Sequence, residues 1–280
     1  MSSLTLYNEV TAQSSKQTTL LYSSSFSSAI GLLDKSLRQP IYDNYGFVRF
    51  ADEIVDTFHE YDKAALLATF KVDTYAALDN GISLNPILHR FQLTYNQFKI
   101  DRALLDAFLY SMEMDLSQQS HDEASYNQYI FGSAEVVGLM CLKIFCNGDE
   151  GQYEALKPSA QRLGAAFQKV NFLRDIKADF VGMERMYFPN CDFSNFSLAD
   201  KQEIEADIQA DFDAALEGIK ALPMPCRFGV YVAFKYYYAL FKKIKQTNHG
   251  ALLSTRIRIP DYGKLFIVFN AKIRASLNLL

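Results

Sequence analysis

In YGFVRFADEIVD, Tyr45 to Asp56, two aspartates stand four residues apart, with Glu53 beside Asp52 and Arg49 a turn earlier. On a helix such residues are neighbours, and like charges there repel by about 0.2–0.5 kcal/mol. Tyr45, Arg49, Asp52 and Asp56 fall within about 60° of one another at 100° per residue. Phe47, Val48, Phe50, Ile54 and Val55 make the remainder largely apolar, so the helix is expected inside protein with its acidic stripe facing a cavity. A second stripe lies in QKVNFLRDIKAD, where Gln168, Asn171, Asp175 and Asp179 share one face, with Gly164 a turn earlier and Phe167, Val170, Phe172 and Leu173 flanking. Two apolar helices that each carry Asp-x-x-x-Asp and an arginine can face carboxylates toward each other, as metal-binding bundles do. Clustered hard oxygens suit Mg²⁺, or Mn²⁺, completed by water and substrate phosphate. Cations arriving with a phosphorylated substrate would offset the repulsion between Asp52 and Asp56.

Asp207 and Asp211 repeat the spacing in KQEIEADIQADFDAALEG, a strongly acidic segment with regular apolar positions and no nearby arginine. That pair is assigned to solvent, where charge runs on helices ordinarily lie.

The elements that hold these stripes are helices. Glycine and proline are scarce, strand-like alternation is rare, and apolar residues recur at three- and four-residue spacings. The pattern predicts helices over Phe26 to Leu37, Gln39 to His59, Asp62 to Leu78, Asn85 to Lys99, Arg102 to Leu116, Glu123 to Cys146, Glu150 to Val181, Leu198 to Leu222, Arg227 to Gln246 and Asp261 to Leu280. Turn signals separate them at Asp79 to Gly81, Asn147 to Gly151, Pro189 to Asn195 and Leu222 to Pro225. None is long enough for a linker and no repeat is evident, so residues 1–280 are read as one all-α bundle with a central cavity.

Composition narrows the function. With 280 residues, 49% of them hydrophobic, the chain can bury a large core. A net charge of −4 gives no basic field for nucleic acid. The four cysteines form no CxxC pair and suit free buried thiols in a reducing cytoplasm. The N-terminal stretch has neither a basic n-region nor an apolar h-region, and no stretch approaches the ~18 continuous apolar residues of a spanning helix. A cytoplasmic protein is expected.

At the two stripes the sequence resembles the squalene/phytoene synthases, which join two prenyl diphosphates head to head. YGFVRFADEIVD is similar to that family's first aspartate-rich motif and VNFLRDIKAD to its second. SSSFSSAIGLL (Ser23 to Leu33) resembles the N-terminal substrate-binding stretch, with Ser25 and Phe26 its contact candidates. YIFGSAEVVG (Tyr129 to Gly138) resembles the central-helix signature, and ERMYFP (Glu184 to Pro189) the segment after the second motif. The chain departs at Glu184-Arg185, where a glycine-arginine step is usual, and at Ser133 and Glu135, where valine and a small residue are usual.

The resemblance implies an α-helical prenyltransferase pocket and condensation of two C20 or C15 allylic diphosphates through a cyclopropylcarbinyl diphosphate. Asp52, Asp56, Asp175 and Asp179 would hold the Mg²⁺ ions, with Asn171 orienting or ligating metal. Arg49 and Arg174 would bind phosphate oxygens through forked donors, with Arg256, Arg258 and Lys264 as further candidates; Gln168 shares the substrate face. Phe26, Tyr45, Tyr129 and Tyr187 are expected to line a dry cavity around an allylic cation. Gly132, Ser133, Ala134 and Gly138 would thin the central helix to make room for a prenyl chain. Tyr129, Tyr187 or released diphosphate would accept the final proton.

The wording of NFLRDIKAD and MYFP is closer to bacterial phytoene synthases, which end in proton loss and need no NADPH, than to squalene- or dehydrosqualene-forming relatives. The absence of a C-terminal spanning helix also sets the sequence apart from the membrane-anchored squalene synthase type. A non-catalytic relative is disfavoured by the presence of all four aspartates, and a head-to-tail synthase by Glu53 where DDxxD needs aspartate. The C-terminal KLFIVFNAKIRASLNLL mixes apolar residues with Lys264, Lys272 and Arg274, compatible with peripheral contact at the inner membrane face.

Overall fold

The computed structural model describes residues 2–117, 120–176, 187–189, 191, 196–253 and 255–276. Among them are helices joined by short turns, with no strand. In order these are α1 (Ser3–Tyr22), α2 (Ser24–Ile30), α3 (Lys35–Asp56), α4 (Lys63–Asn80), α5 (Pro86–Phe98), α6 (Arg102–Ser117), α7 (Glu123–Ile130), a π-turn (Phe131–Glu135), α8 (Val136–Cys146), α9 (Glu150–Ile176), α10 (Leu198–Ala221), α11 (Met224–Gln246), α12 (His249–Leu252) and α13 (Asp261–Ser276). The all-α expectation holds.

Local chemistry explains the boundaries. Asp34 caps α3 by accepting from the Ser36 amide at 2.9 Å, so the helix starts before Pro40 and carries that proline inside. The expected break near Gln39 is absent because a proline removes only one interior hydrogen bond, and a good cap lies upstream. Asn85 caps α5 ahead of Pro86, and Ser197 with Asp200 closes a capping box on α10.

Helix α1 has no counterpart in the expected elements. It buries Thr11, Ser15, Thr18 and Thr19, whose polarity hides the period. Thr11, Thr18 and Thr19 return their hydroxyls to the carbonyls of Tyr7, Ser14 and Ser15 at 2.9–3.1 Å, which lets small polar residues pack inside. His89 of α5 then meets Asn8 at 2.7 Å.

Helix α3 serves two neighbourhoods. One face enters an aromatic core where Phe47 stacks on Phe91 at 3.9 Å and meets Phe70 and Phe108; the other faces a cavity bounded by α2, α8, α9, α10 and α11. Between these faces Asp43, fully buried, accepts from Arg90 Nε and Nη2 at 2.8–3.2 Å, Thr94 at 3.0 Å and Gln39 at 2.8 Å. The stretch Glu123–Cys146 is long and apolar enough to cross a bilayer, but 56% of its most apolar window is buried and it serves the bundle as a core helix.

Two expectations are corrected. Asp211 is not at the surface: it is fully buried and binds Lys169 at 2.7 Å and Arg162 at 2.9 Å, while Asp207 binds Lys169 at 2.5 Å. The pairing cations lie on α9, seven residues apart on one face and about forty to fifty residues from their acids, so no local pattern announces them. Gly132 does not make room for a ligand either. A Cβ there would lie 2.5 Å from the Ala107 carbonyl oxygen and 2.8 Å from Ser111, so the glycine permits close packing on α6.

Removing Arg90 leaves Asp43 charged and buried without its counter-ion. Arg90→Met should therefore destabilise the fold by about 3–5 kcal/mol, read as a lower urea midpoint with an unchanged slope.

Candidate active site

Helices α3 and α9 bring their stripes to one end of a cavity of about 510 Å³. On α3 the wall is formed by Ile41, Asn44, Tyr45, Val48, Arg49 and Asp52, a one-sided succession at helical spacing. Gln168, Asn171 and Arg174 face it from α9, and Arg256 from the segment before α13. Deeper lie Val137, Gly138, Leu142 and Phe145 of α8, Leu156, Ala160 and Leu163 of α9, and Ile219 of α10. The result is a polar mouth over an apolar interior.

Electrostatics at the mouth are unbalanced. Arg49 pairs with Glu53 on its own helix and places its guanidinium 4.4 Å over the Tyr22 ring, while its buried Nε has no partner. Asp52 forms no ion pair among the described residues. Burial, then the neighbouring Asp56, push its carboxyl up to about 8 from the ordinary 3.8, against the pull of Arg49. Asp175 is held by Arg174 at 2.5 Å and by Arg256 at 2.7 Å, a clamp across the mouth. Asn171 receives the Tyr237 hydroxyl at 3.3 Å and lies 3.4 Å from Gln168.

These residues fit a divalent cation in a particular way. Among the described residues no three ligating groups converge tightly enough to hold a metal alone, whereas Mg²⁺ ordinarily takes one or two carboxylates together with substrate phosphate. Asp52 has no ion-pair partner among the described residues and sits beside Asp56, and the orphaned Nε of Arg49 lacks an acceptor. A cation with a diphosphate supplies both.

The aromatic expectations divide. Phe26 and Tyr45 line the wall, 5.9 Å apart, and burial pushes the Tyr45 phenol up to about 12. Tyr129 and Tyr187 do not line it. They are buried behind it, 5.2 Å apart, with Tyr187 stacked on Phe172 at 4.0 Å. Both hydroxyls reach Asp115, at 2.7 Å from Tyr129 and 3.3 Å from Tyr187. Burial, then Asp115, hold the Tyr129 phenol well above its ordinary value.

The other candidates are more dispersed. Asp56 is exposed at the end of α3 and Ser25 half-buried beside Phe26. Arg258 is exposed, its carbonyl accepting from Lys243, and Lys264 donates to Ser24 at 2.6 Å. Asp179 and the Glu184-Arg185 step lie outside the described residues. Ser133, Ala134 and Gly138 line the cavity as expected, Ser133 with an unpartnered hydroxyl, and Glu135 turns away to Gln161 at 2.9 Å. Gly164 admits the π-turn closely: a Cβ there would lie 2.6 Å from the Ala134 carbonyl oxygen.

Several site residues escaped the sequence reading. Tyr237 stacks on Phe167 at 3.9 Å and completes an aromatic collar with Phe26; nothing distinguishes it from its neighbours in the run KYYYALF. Asn44 donates to Cys141 at 3.3 Å deep in the wall. Asp115 did leave a signal, since it falls on the buried face of α6 after Leu104, Phe108 and Ser111, where a carboxylate needs a reason.

Comparison with known proteins agrees with this geometry. A family model described as squalene/phytoene synthase matches residues 21–262. The chain is 31% identical to a presqualene diphosphate synthase of Rhodopseudomonas palustris over 169 residues, 60% of this chain and 58% of that protein. It is 23% identical to a phytoene synthase of Arthrospira platensis, over 93% of this chain and 92% of the relative. A dehydrosqualene synthase solved with a ligand shares the fold at a TM-score of 0.81 and 18% identity, covering 96% of this chain and 98% of the other.

Because the Asp52 carboxyl titrates near 8 folded and near 4 unfolded, the folded state holds a proton across that window that the unfolded chain has released. Its contribution to stability falls as pH rises through the window. Asp52→Asn removes this titration, so in metal-free buffer the variant should melt above wild type, by more at about pH 8 than at about pH 5. Thermal melts showing the same difference at both pH values would contradict the assignment.

Proposed function

We infer that this chain, which belongs to the squalene/phytoene synthase family of prenyltransferases, joins two allylic prenyl diphosphates head to head, with C20 geranylgeranyl diphosphate as substrate and phytoene as product. The carrying observation is one cavity with Arg49, Asp52, Asn171, Arg174 and Arg256 at its mouth and an apolar interior. Diphosphate and prenyl chain match those two ends. Similarity over 93% of this chain and 92% of the relative to the phytoene synthase of Arthrospira platensis supports the longer chain.

The residues divide the work. Arg49, Arg174 and Arg256 take diphosphate oxygens, and the unsatisfied Nε of Arg49 gains an acceptor. Asp52, Asp56, Asp175 and Asn171 would hold Mg²⁺ or Mn²⁺, with Asp179 the remaining member of the motif. Bound there, the cation supplies positive charge to the departing diphosphate. The apolar wall excludes water from the allylic cation, and the faces of Phe26, Tyr45, Phe167 and Tyr237 stabilise it without trapping it. With Tyr129 and Tyr187 held behind the wall by Asp115, released diphosphate at the mouth is the group that takes the final proton. Loss of diphosphate and a proton is redox-neutral, so NADPH has no part.

A second reading uses C15 farnesyl diphosphate and yields squalene, dehydrosqualene or the cyclopropyl diphosphate itself. Similarity to the Rhodopseudomonas protein favours it.

Purified protein with Mg²⁺ and either geranylgeranyl or farnesyl diphosphate, with and without NADPH, separates these readings by mass spectrometry. The expected result is a C40 hydrocarbon without NADPH, lost in Asp52→Ala and Asp175→Ala. A C30 hydrocarbon or a C30 diphosphate assigns the second reading, and no product from either substrate overturns both. Arg49→Gln should lower kcat/KM by about 10²–10³-fold with the product unchanged.

A further inference from the structure

Helix α13 has two unlike sides. Ala271 is buried, and Ile267 and Val268 pack against the core toward α11. On the other side Tyr262, Leu265, Phe266 and Phe269 are exposed at 62–78%, a stripe at three- and four-residue spacing. The hydrogen bond from Lys264 to Ser24 places the start of α13 beside the α1–α2 junction. There Leu21 and Tyr22 are exposed, and Tyr22 belongs to the cavity wall. Exposed apolar side chains therefore run from α13 to the cavity rim. A patch of this kind marks an interaction surface.

Charge identifies the partner. Lys272 and Arg274 flank the stripe, and Lys235 and Lys242 lie beside it on α11. No ion pair among the described residues reaches any of the four. Arg274 and Lys242 lie near enough to Lys235 to add, after burial, to the lowering of its ammonium from the ordinary value, which places three cationic side chains together on this face. From Tyr262 to Leu280 there is no acidic residue. Lysine is depleted at protein–protein contacts. A bilayer surface suits both features: apolar side chains enter the acyl boundary while long cationic stems reach anionic headgroups.

We propose that α13, with the rim at Leu21 and Tyr22, docks the protein on an anionic lipid surface with the cavity mouth at the acyl boundary. A hydrocarbon product then leaves into lipid without crossing water. That last link rests on the prenyltransferase reading, whereas docking rests on α13 itself.

Co-sedimentation of the full chain with phosphatidylcholine vesicles, with and without phosphatidylglycerol, tests it. Wild type should bind the mixed vesicles and bind pure phosphatidylcholine more weakly. Phe266→Asp with Phe269→Asp should cut binding by roughly tenfold or more per residue. Lys272→Gln with Arg274→Gln should cut it by about fivefold per charge, an effect that high salt removes. All variants should keep the wild-type melt and its turnover of detergent-dispersed substrate. Failure of wild type to bind, or equal binding by the aromatic variant, overturns the proposal. So does a wild-type dimer that the aromatic variant converts to monomer, which gives the face to a second copy. Binding that persists in a protein without turnover keeps the docking and removes the prenyltransferase reading.

Discussion

Asp52 is a carboxylate that the protein alone does not satisfy. Arg49 is drawn to Glu53 and Tyr22, Asp56 adds like charge, and burial pushes the carboxyl up to about 8. A folded protein tolerates such a group only when the rest of the structure overdetermines its position. Helix α3 is therefore fastened on its opposite faces, through the Phe47 stack and the Asp43–Arg90 pair, so that its acidic stripe can remain poorly matched. Stability is invested behind the site and withheld at it.

The same division runs through α9. Lys169 and Arg162 anchor it to α10 through Asp207 and Asp211, while Gln168, Asn171 and Arg174, on another face, project into the cavity. Glycine at 132 and 164 lets α6, the π-turn and α9 approach until backbone meets backbone. Inserted π-turns recur at functional sites, and this one sets Ser133 and Ala134 into the wall while Tyr129, just before it, turns back to Asp115. Packing and chemistry share the same helices but use different faces.

A long apolar cavity ending in a charged mouth also shapes the surface. On the proposed function, a substrate with an anionic head and a hydrocarbon tail is oriented on entry, and a product that has lost its head enters lipid far more readily than water. The exposed apolar rim of α1 and α13, flanked by lysines and an arginine, is placed where that problem arises.

Much of this was legible in the chain. Helical period and the apolar flanks of the two stripes determined an all-α bundle and which residues of each stripe share a face, because each is a local relation written within a few turns of one helix. Tertiary structure decided the relations between distant residues. Asp211 was read as solvated because its partners lie on another helix; α1 was missed because its buried face is threonine and serine, with no apolar period to mark it; Gly132 served packing because Ala107 lies against it. Tyr129 and Tyr187 were chosen as lining from their motifs, yet a shared bond to Asp115 holds them behind the wall. Tyr237 and Asn44 carried no distinguishing spacing at all. A helix face can be computed from sequence, but which neighbour it meets depends on how the whole chain closes.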